Sequence, residues 1–243
     1  MNKDIFLREE IKKIGIELDD AQAEQFLIYF GLLTEWNSVM NLTAITDYKE
    51  VVQKHFVDSL SMVKAISMEK LQNDSLSVID IGTGAGFPGI PLKIIFPGLR
   101  VTLLDSLNKR INFLNTVIES LDLKNIVAIH GRAEDYARQK EYREKFDLCV
   151  SRAVANLSTL SEYCLPYVKK NGYFISYKSE NIEQEIEESK KAVKILGGEI
   201  SEVVKFSLPD TDIKRAIVKI KKKDLINKKY PRKAGMPSKE PLR

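Results

Sequence analysis

Asp80, Gly82, Gly84, Gly86 and Phe87 fall within the stretch LSVIDIGTGAGFPGIPLK (76–93), and their spacing is that of a ligand-binding turn. Val78, Ile79 and Ile81 read as a strand, the glycines recur at alternate positions, and an apolar stretch with helical spacing follows. Glycines so placed let the backbone turn sharply and approach a ligand closely, and the helix behind them offers free N–H groups there. Three nearby glycines alone mark only a tight loop. The strand before them, the acid two residues upstream and the helix after them point to a nucleotide-type ligand.

A second apolar strand, in VTLLDSLNKR (101–110), ends in Asp105. An acid at the tip of the second strand of a βαβ unit is placed to accept hydrogen bonds from both ribose hydroxyls. The plainer reading is a helix N-cap, because Asp105 and Ser106 precede apolar residues at Leu107, Ile111, Leu114 and Ile118. The two are compatible, with Ser106 capping and Asp105 binding. NAD would suit this spacing, but Asp80 sits where dinucleotide-binding strands keep an apolar residue. The glycines also run G-x-G-x-G, without the gap of the pyrophosphate fingerprint. S-adenosylmethionine, a nucleoside without phosphate, fits better.

These groups need a sheet to hold them. Strands are expected at 77–81, 101–104, 126–129, 146–150, 172–177, 199–206 and 214–220, with helix-length segments between the first five. That alternation predicts an α/β fold with a largely parallel sheet and helices on both faces. The last two strands are joined only by LPDTD (208–212), which predicts an antiparallel hairpin. The chain before the first strand reads as helices. Ile5, Ile11 and Ile14 are expected on one face, and Phe26, Leu27, Phe30, Leu33 and Trp36 form an amphipathic stripe that belongs to the core. EWNSVMNLTAITD (35–47) suggests a side-chain-capped turn region. In HFVDSL (55–60), His55 and Asp58 share a helix face, a pairing that is more often structural than catalytic. The organisation expected is an N-terminal helical region (1–70), a cofactor-binding core (71–220) and a basic tail (221–243).

A chain of 243 residues holds one sizeable α/β domain with additional helices. No apolar run approaches a membrane span, and the charged start MNKDIFLREE lacks a signal region, so a cytoplasmic protein is expected. Cys149 and Cys164 read as buried apolar residues rather than a disulfide, and two cysteines without clustered histidines make no zinc site. The net charge of +4 is uneven: residues 219–243 carry +8 and the preceding chain −4. Such a block can be only a solvated end. With Tyr230, Pro231, Gly235, Pro237 and Pro241 it reads as extended chain with an aromatic, and it favours a nucleic-acid partner. Its deletion is then expected to spare cofactor binding and weaken RNA binding, unless Tyr230-Pro231-Arg232 docks on the protein's own core.

WNSVMNLT, HFVDSL, DIGTGAGFPGIPLKI, DSLNKR, GRAED, SRAVA and YPRKAGMPSKEPL occur in this order, from about Glu35 to Leu242. Together they closely resemble the bacterial small-subunit ribosomal RNA guanine-N7 methyltransferases, also called the glucose-inhibited division protein B family. The glycine loop is shared by many methyltransferases, whereas SRAVA and the YPRKAG tail are far more specific. The resemblance implies a class I S-adenosylmethionine-dependent (Rossmann-like) fold with a seven-stranded sheet whose last strand is reversed. It also implies methyl transfer to N7 of one guanine in 16S ribosomal RNA, in the small ribosomal subunit or an assembly intermediate. By the same resemblance Gly82 and Phe87 belong to the cofactor loop, to which the spacing of the turn adds Asp80, Gly84 and Gly86, while Asp105 is the ribose acid and Ala133 and Glu134 lie along the adenine. Arg152 is placed at the mouth shared by cofactor and substrate. Glu134 could instead simply favour a helix dipole, and Phe87 could be core. Arg152 follows the apolar strand FDLCV, at the edge of an open α/β sheet where ligands bind.

Residues that are absent fit the same chemistry. An exocyclic amine target calls for an Asn/Asp-Pro-Pro-aromatic motif after the fourth strand, where this chain has Ser151-Arg152-Ala153-Val154. Pyrimidine C5 methylation needs a cysteine nucleophile, and neither cysteine has the Pro-Cys setting. Guanine N7 carries an in-plane lone pair and no proton, so no catalytic acid or base is expected. The A-form major groove hides N7 of a paired guanine, so the target must lie in a loop or be splayed out. Arg152 and Lys178, the latter just after the fifth strand, are candidates for positioning the base or its phosphate, although Lys178 could equally be an exposed strand-end charge. Two rival readings are a methyltransferase for a small molecule or protein, which leaves the basic tail without purpose, and a non-catalytic RNA-binding protein, which leaves the intact loop without purpose.

Overall fold

The computed structural model describes residues 2–152 and 154–242. Met1, Ala153 and Arg243, which fall in the expected N-terminal region, the SRAVA segment and the basic tail, lie outside the described residues. Seven strands form one sheet: β1 (Ser77–Ile81), β2 (Arg100–Asp105), β3 (Ile126–His130), β4 (Phe146–Arg152), β5 (Val168–Ser179), β6 (Gly198–Ser207) and β7 (Lys214–Lys222). Their spatial order is β3-β2-β1-β4-β5-β7-β6. The first five are parallel to one another, and β7 runs antiparallel to both β5 and β6. The seven strands expected from the sequence are present, with β5 extended at both ends, and the hairpin across LPDTD forms β6 and β7.

Strand order reverses between β1, which continues to β2 and β3, and β4, which continues to β5. In open α/β sheets that switch point opens a crevice at the strands' C-terminal edge. Side chains alternate across the strands, so each contributes to two cores. Val78, Val101, Leu103, Leu148, Val150 and Ile175 face one side, whereas Ile79, Ile81, Leu104, Cys149, Phe174 and Val218 face the other. Both cysteines are free and buried, in keeping with their reading as buried apolar residues.

The first core is roofed by helices α1 (Lys3–Lys12) and α2 (Asp20–Met40), with Leu7, Ile11, Phe26, Tyr29 and Leu33 buried, and α2 lies over the helices Gly89–Ile95 and Asn108–Ser120 that cover the sheet. A capping box between Asp19 and Gln22 starts α2, and Asn41 in the left-handed region ends it. The expected face of α1 is corrected at one position. Ile5 is 52% exposed, and the buried stripe runs through Leu7, Ile11 and Ile14, the spacing of successive turns. Trp36 is partly buried and packs on Phe113 at 5.7 Å, a core role. No helix of the described residues is long and apolar enough to cross a membrane.

The second core carries helices Leu157–Cys164 and Glu183–Ile195 and also receives the C-terminal residues Ile226 and Tyr230. The basic tail is therefore not a free extended chain. Burial of its apolar residues outweighs the solvation of its charges.

Candidate cofactor and substrate site

The C-terminal edges of β1, β2 and β4 open into a cavity of about 500 Å³, within the range of small-ligand sites, roughly 300–1,000 Å³. It is lined by Gly82, Gly84, Phe87, Asp105, Ala133, Glu134 and Arg152, seven residues singled out from the sequence. Gly82 and Gly84 have φ of +69° and +63°, a region that side chains with a Cβ rarely adopt. A Cβ on Gly82 would stand 2.6 Å from Val154 Cγ2, whereas one on Gly84 would meet nothing within 4 Å. Gly82 thus lets the loop after β4 close over the turn, and Gly84 leaves backbone open to the cavity.

Asp105 is buried at the tip of β2. Its Oδ2 accepts from Gly84 N (2.9 Å) and its Oδ1 from Leu107 N (3.0 Å), and Arg110 Nη1 lies 3.1 Å from Oδ2. A carboxylate has about four acceptor positions, so these three donors leave about one for a ribose hydroxyl. The capping expected of Ser106 does not occur: the N-cap position is Leu107, without a side-chain cap. The N–H groups of Gly82 and Thr83 are taken by Leu104 O and that of Gly84 by Asp105. The carboxylates of Asp105 and Glu134 and the carbonyls of the loop thus form an acceptor set suited to the hydroxyls and amines of a nucleoside, and so fit S-adenosylmethionine.

Two loop residues stand away from the cavity. Asp80 is fully buried beneath the turn, where its Oδ2 accepts from Thr83 Oγ1 (2.7 Å) and from Gly89 N (2.9 Å). The first N–H of the following helix therefore points at Asp80 rather than at a ligand. Gly86 is a packing glycine: a Cβ there would lie 2.8 Å from Tyr29 Oη and 2.5 Å from Ile90 Cδ1. Tyr29 Oη donates to Ala85 O, so α2 holds the glycine loop directly. Nothing in the spacing of α2 distinguished Tyr29 from its apolar neighbours.

Burial raises the Asp80 carboxyl to about pH 7, opposed by its Thr83 and Gly89 bonds. Its Oδ1 has no partner among the described residues, so protonation there leaves both Oδ2 bonds intact. The folded-state value lies above the ordinary carboxylate value, so the native state holds the proton more tightly. Stability from this group is fully present below about pH 4 and is lost as pH rises to about 7. Asp80→Asn is therefore expected to stay folded and to flatten the decline of stability across that interval, read by urea melts at several pH values. Parallel pH curves for wild type and variant would show that Asp80 is ionised throughout.

Arg152, at the end of β4, is held from three directions. Nη1 donates to Asp58 Oδ2 (2.9 Å) and Lys54 O (3.1 Å), and Nη2 donates to His55 Nδ1 (3.2 Å). The guanidinium sits 5.1 Å from the centre of the Phe87 ring, on which His55 stacks at 4.7 Å. Arg215 Nε donates to the other Asp58 oxygen (3.1 Å). His55 and Asp58 do share a helix face, and each binds Arg152. With Nδ1 accepting from Arg152, the His55 proton lies on Nε2 and is donated to Thr43 Oγ1 (2.9 Å). Burial, with Arg152 alongside, lowers His55 to about 3, so it stays neutral across the physiological range.

Lys178 is not at the cavity. Its ammonium donates to Ala155 O and pairs with Glu185, each at 2.6 Å, which anchors the loop bearing Val154. Leu42, Thr43, Val154, Tyr163, Gly235 and Ser238 also line the cavity. The N-L-T and SRAVA segments had contained the first three, but only folding shows that Gly235 and Ser238 reach this edge.

A seven-stranded sheet with a reversed strand inserted before the edge, a glycine turn after β1 and an acid closing β2 define a class I methyltransferase. Solved structures agree at the level of fold. A putative sarcosine dimethylglycine methyltransferase from Galdieria sulphuraria is similar with a TM-score of 0.55 at 11% identity, over 74% of this chain and 88% of that one. YcgJ from Bacillus subtilis is similar with a TM-score of 0.53 at 12% identity, over 70% of this chain and all of that one. The family rRNA small subunit methyltransferase G matches residues 22–217, and the chain belongs to it. Proteins named ribosomal RNA small subunit methyltransferase G from Lachnoclostridium phytofermentans and Acetivibrio thermocellus are 58% and 53% identical to it. The alignments cover 96% and 97% of this chain, and 94% and 95% of theirs.

Proposed function

We propose that the chain transfers a methyl group from S-adenosylmethionine to N7 of a guanine in 16S ribosomal RNA, in the small subunit or an assembly intermediate, by alignment without a general base. One observation carries the reading: in a chain of this family, the glycine turn and Asp105 share a cavity with a fixed arginine whose neighbouring histidine is fully committed. Bound S-adenosylmethionine supplies a methyl group on a positively charged sulfur.

The residues of the chain then have separable tasks. Asp105 and the Gly82–Gly84 backbone fix the nucleoside, and Glu134 faces its base. Arg152 has five N–H donors, three of them engaged among the described residues, which leaves donors for a guanine or its phosphate. The Phe87 ring and the Asp58 carboxylate hold that guanidinium in one orientation. No proton has to leave N7, so the chain is not required to accept one. Alignment of a nucleophile with its target is worth roughly 7–11 kcal/mol.

Two expectations follow for the variants and conditions that touch these tasks. Asp105→Ala should weaken S-adenosylmethionine binding by roughly 1.5–3 kcal/mol, the worth of hydrogen bonds to a charged acceptor. A folded variant with the wild-type dissociation constant by calorimetry would remove Asp105 from the ribose site. Single-turnover methyl transfer should be nearly flat from about pH 6 to 9, because N7 has no proton to lose and His55 remains neutral. A log-linear rise of slope one at saturating cofactor and RNA would reveal a base. The function itself is tested by mapping N7-methylguanosine in 16S RNA from cells with and without the protein, and by tritium transfer from labelled cofactor. Label in protein but not in RNA would overturn the proposal.

A further inference from the structure

The C-terminal segment after β7 crosses the second core and ends at the cavity. Ile226 and Tyr230 are buried in that core, and their carbonyls accept from Arg143. Pro231 O accepts from Arg138, and Pro237 O accepts from Thr159 Oγ1. Arg232 binds Glu162 through four contacts: its backbone N and Nε donate to Oε1 (2.7 and 2.9 Å), and Nε and Nη2 to Oε2 (3.1 and 2.6 Å). Glu162 is wholly buried. This is more fixation than a solubilising end requires, and it delivers Gly235 and Ser238 to the cavity wall.

At that wall Gly235 N donates to Glu134 Oε1 at 2.8 Å. Gly235 has φ +84°, and a Cβ there would meet nothing within 4 Å, so the position needs glycine for its backbone conformation and not for space. Glu134 is buried, and its Oε2 has no hydrogen-bond partner among the described residues. One oxygen is thus fixed by the strap while the other is left for a ligand. Thr159, Glu162 and the cavity-lining Tyr163 all belong to the helix Leu157–Cys164, so one helix receives the strap and faces the site.

We infer that the segment 225–242 is a working wall of the cofactor site, in which Arg232, through Glu162, and Gly235, through Glu134, are positioning residues for the adenosine end of the cofactor. The inference rests on the cofactor reading above and adds to it that strap docking and cofactor binding are coupled. Coupling of two equilibria is reciprocal, so whatever factor the docked strap contributes to cofactor affinity, the cofactor returns to strap docking.

The test uses the full-length protein with S-adenosylmethionine as probe. Arg232→Ala should bind it about tenfold more weakly by calorimetry, within the usual span of coupling between sites. Arg232→Lys, which keeps the charge but not the fork, should fall between. In the wild type, tryptic cleavage at the exposed Lys233 should slow by about the same factor when the cofactor is saturating. This second arm needs no variant and decides the matter if Arg232→Ala does not fold. A folded Arg232→Ala protein whose strap is cut rapidly but whose cofactor affinity is unchanged would overturn the inference, as would cofactor-independent cleavage of the wild-type strap. Asp105→Ala, run alongside, separates the two layers. If it loses binding while Arg232→Ala keeps it, the site stands and the strap's role falls; if both bind normally, the site assignment fails and the inference with it.

Discussion

Arg152→Ala is expected to slow methyl transfer at least about a hundredfold, the scale of loss when a reacting group is misplaced by about 1 Å. Arg110 and Arg132 also line the cavity, but only the Arg152 guanidinium is fixed by Asp58, Lys54 O, His55 and the Phe87 ring together. Lysine should not rescue the rate, since a point charge on a flexible stem cannot reproduce three directed contacts and a stacked plane. The variant should also lose about 2–3 kcal/mol of stability, because buried Asp58 retains only Arg215 as a cationic partner. Single-turnover kinetics and urea melts on the same preparation check both. A rate within threefold of wild type would take Arg152 out of substrate positioning and leave it a structural ion pair.

Truncation after Asp224 should be more damaging to the fold than to any single contact. It strands the Glu162 carboxylate in the core and exposes the seats of Ile226 and Tyr230, each worth roughly 1.5–3 kcal/mol when buried. A total loss of about 5 kcal/mol corresponds to a melting temperature lower by roughly 10–20 °C for a chain of this size. The outward lysines Lys228, Lys229, Lys233 and Lys239 are exposed. Their removal should also flatten the salt dependence of RNA binding by up to about three units, at about 0.7 for each contact to single-stranded phosphate. An unchanged melting temperature would restore the free, extended tail that the composition suggested.

That difference shows what could be read in the chain and what could not. The glycine turn, the acid closing β2 and the strand–helix alternation are local patterns, and each lies where its spacing put it. The tail misled because charge and proline content describe solvation, whereas Glu162, seventy residues upstream of Arg232, is what fixes it. No local pattern marks a buried carboxylate that waits for a distant arginine. The same holds for Tyr29, which is one more aromatic on an amphipathic helix until the fold brings its hydroxyl to Ala85 O. Asp80 and Gly86 were legible as parts of the turn, but which of its residues face inward depends on packing against α2 and Gly89. Lys178 was assigned by position at a strand end, and its ammonium is claimed instead by Glu185 and the loop after β4.

The cavity takes Leu42 and Thr43 from one end of the chain and Gly235 and Ser238 from the other. A chain that folds as it is synthesised can complete its N-terminal helices and most of its sheet early. The pocket, however, gains the wall formed by Gly235 and Ser238 only after those residues have left the ribosome. A product that stopped at Asp224 would therefore hold the sheet and the glycine turn but lack that wall. Maturation of the site follows synthesis of the strap rather than synthesis of the sheet.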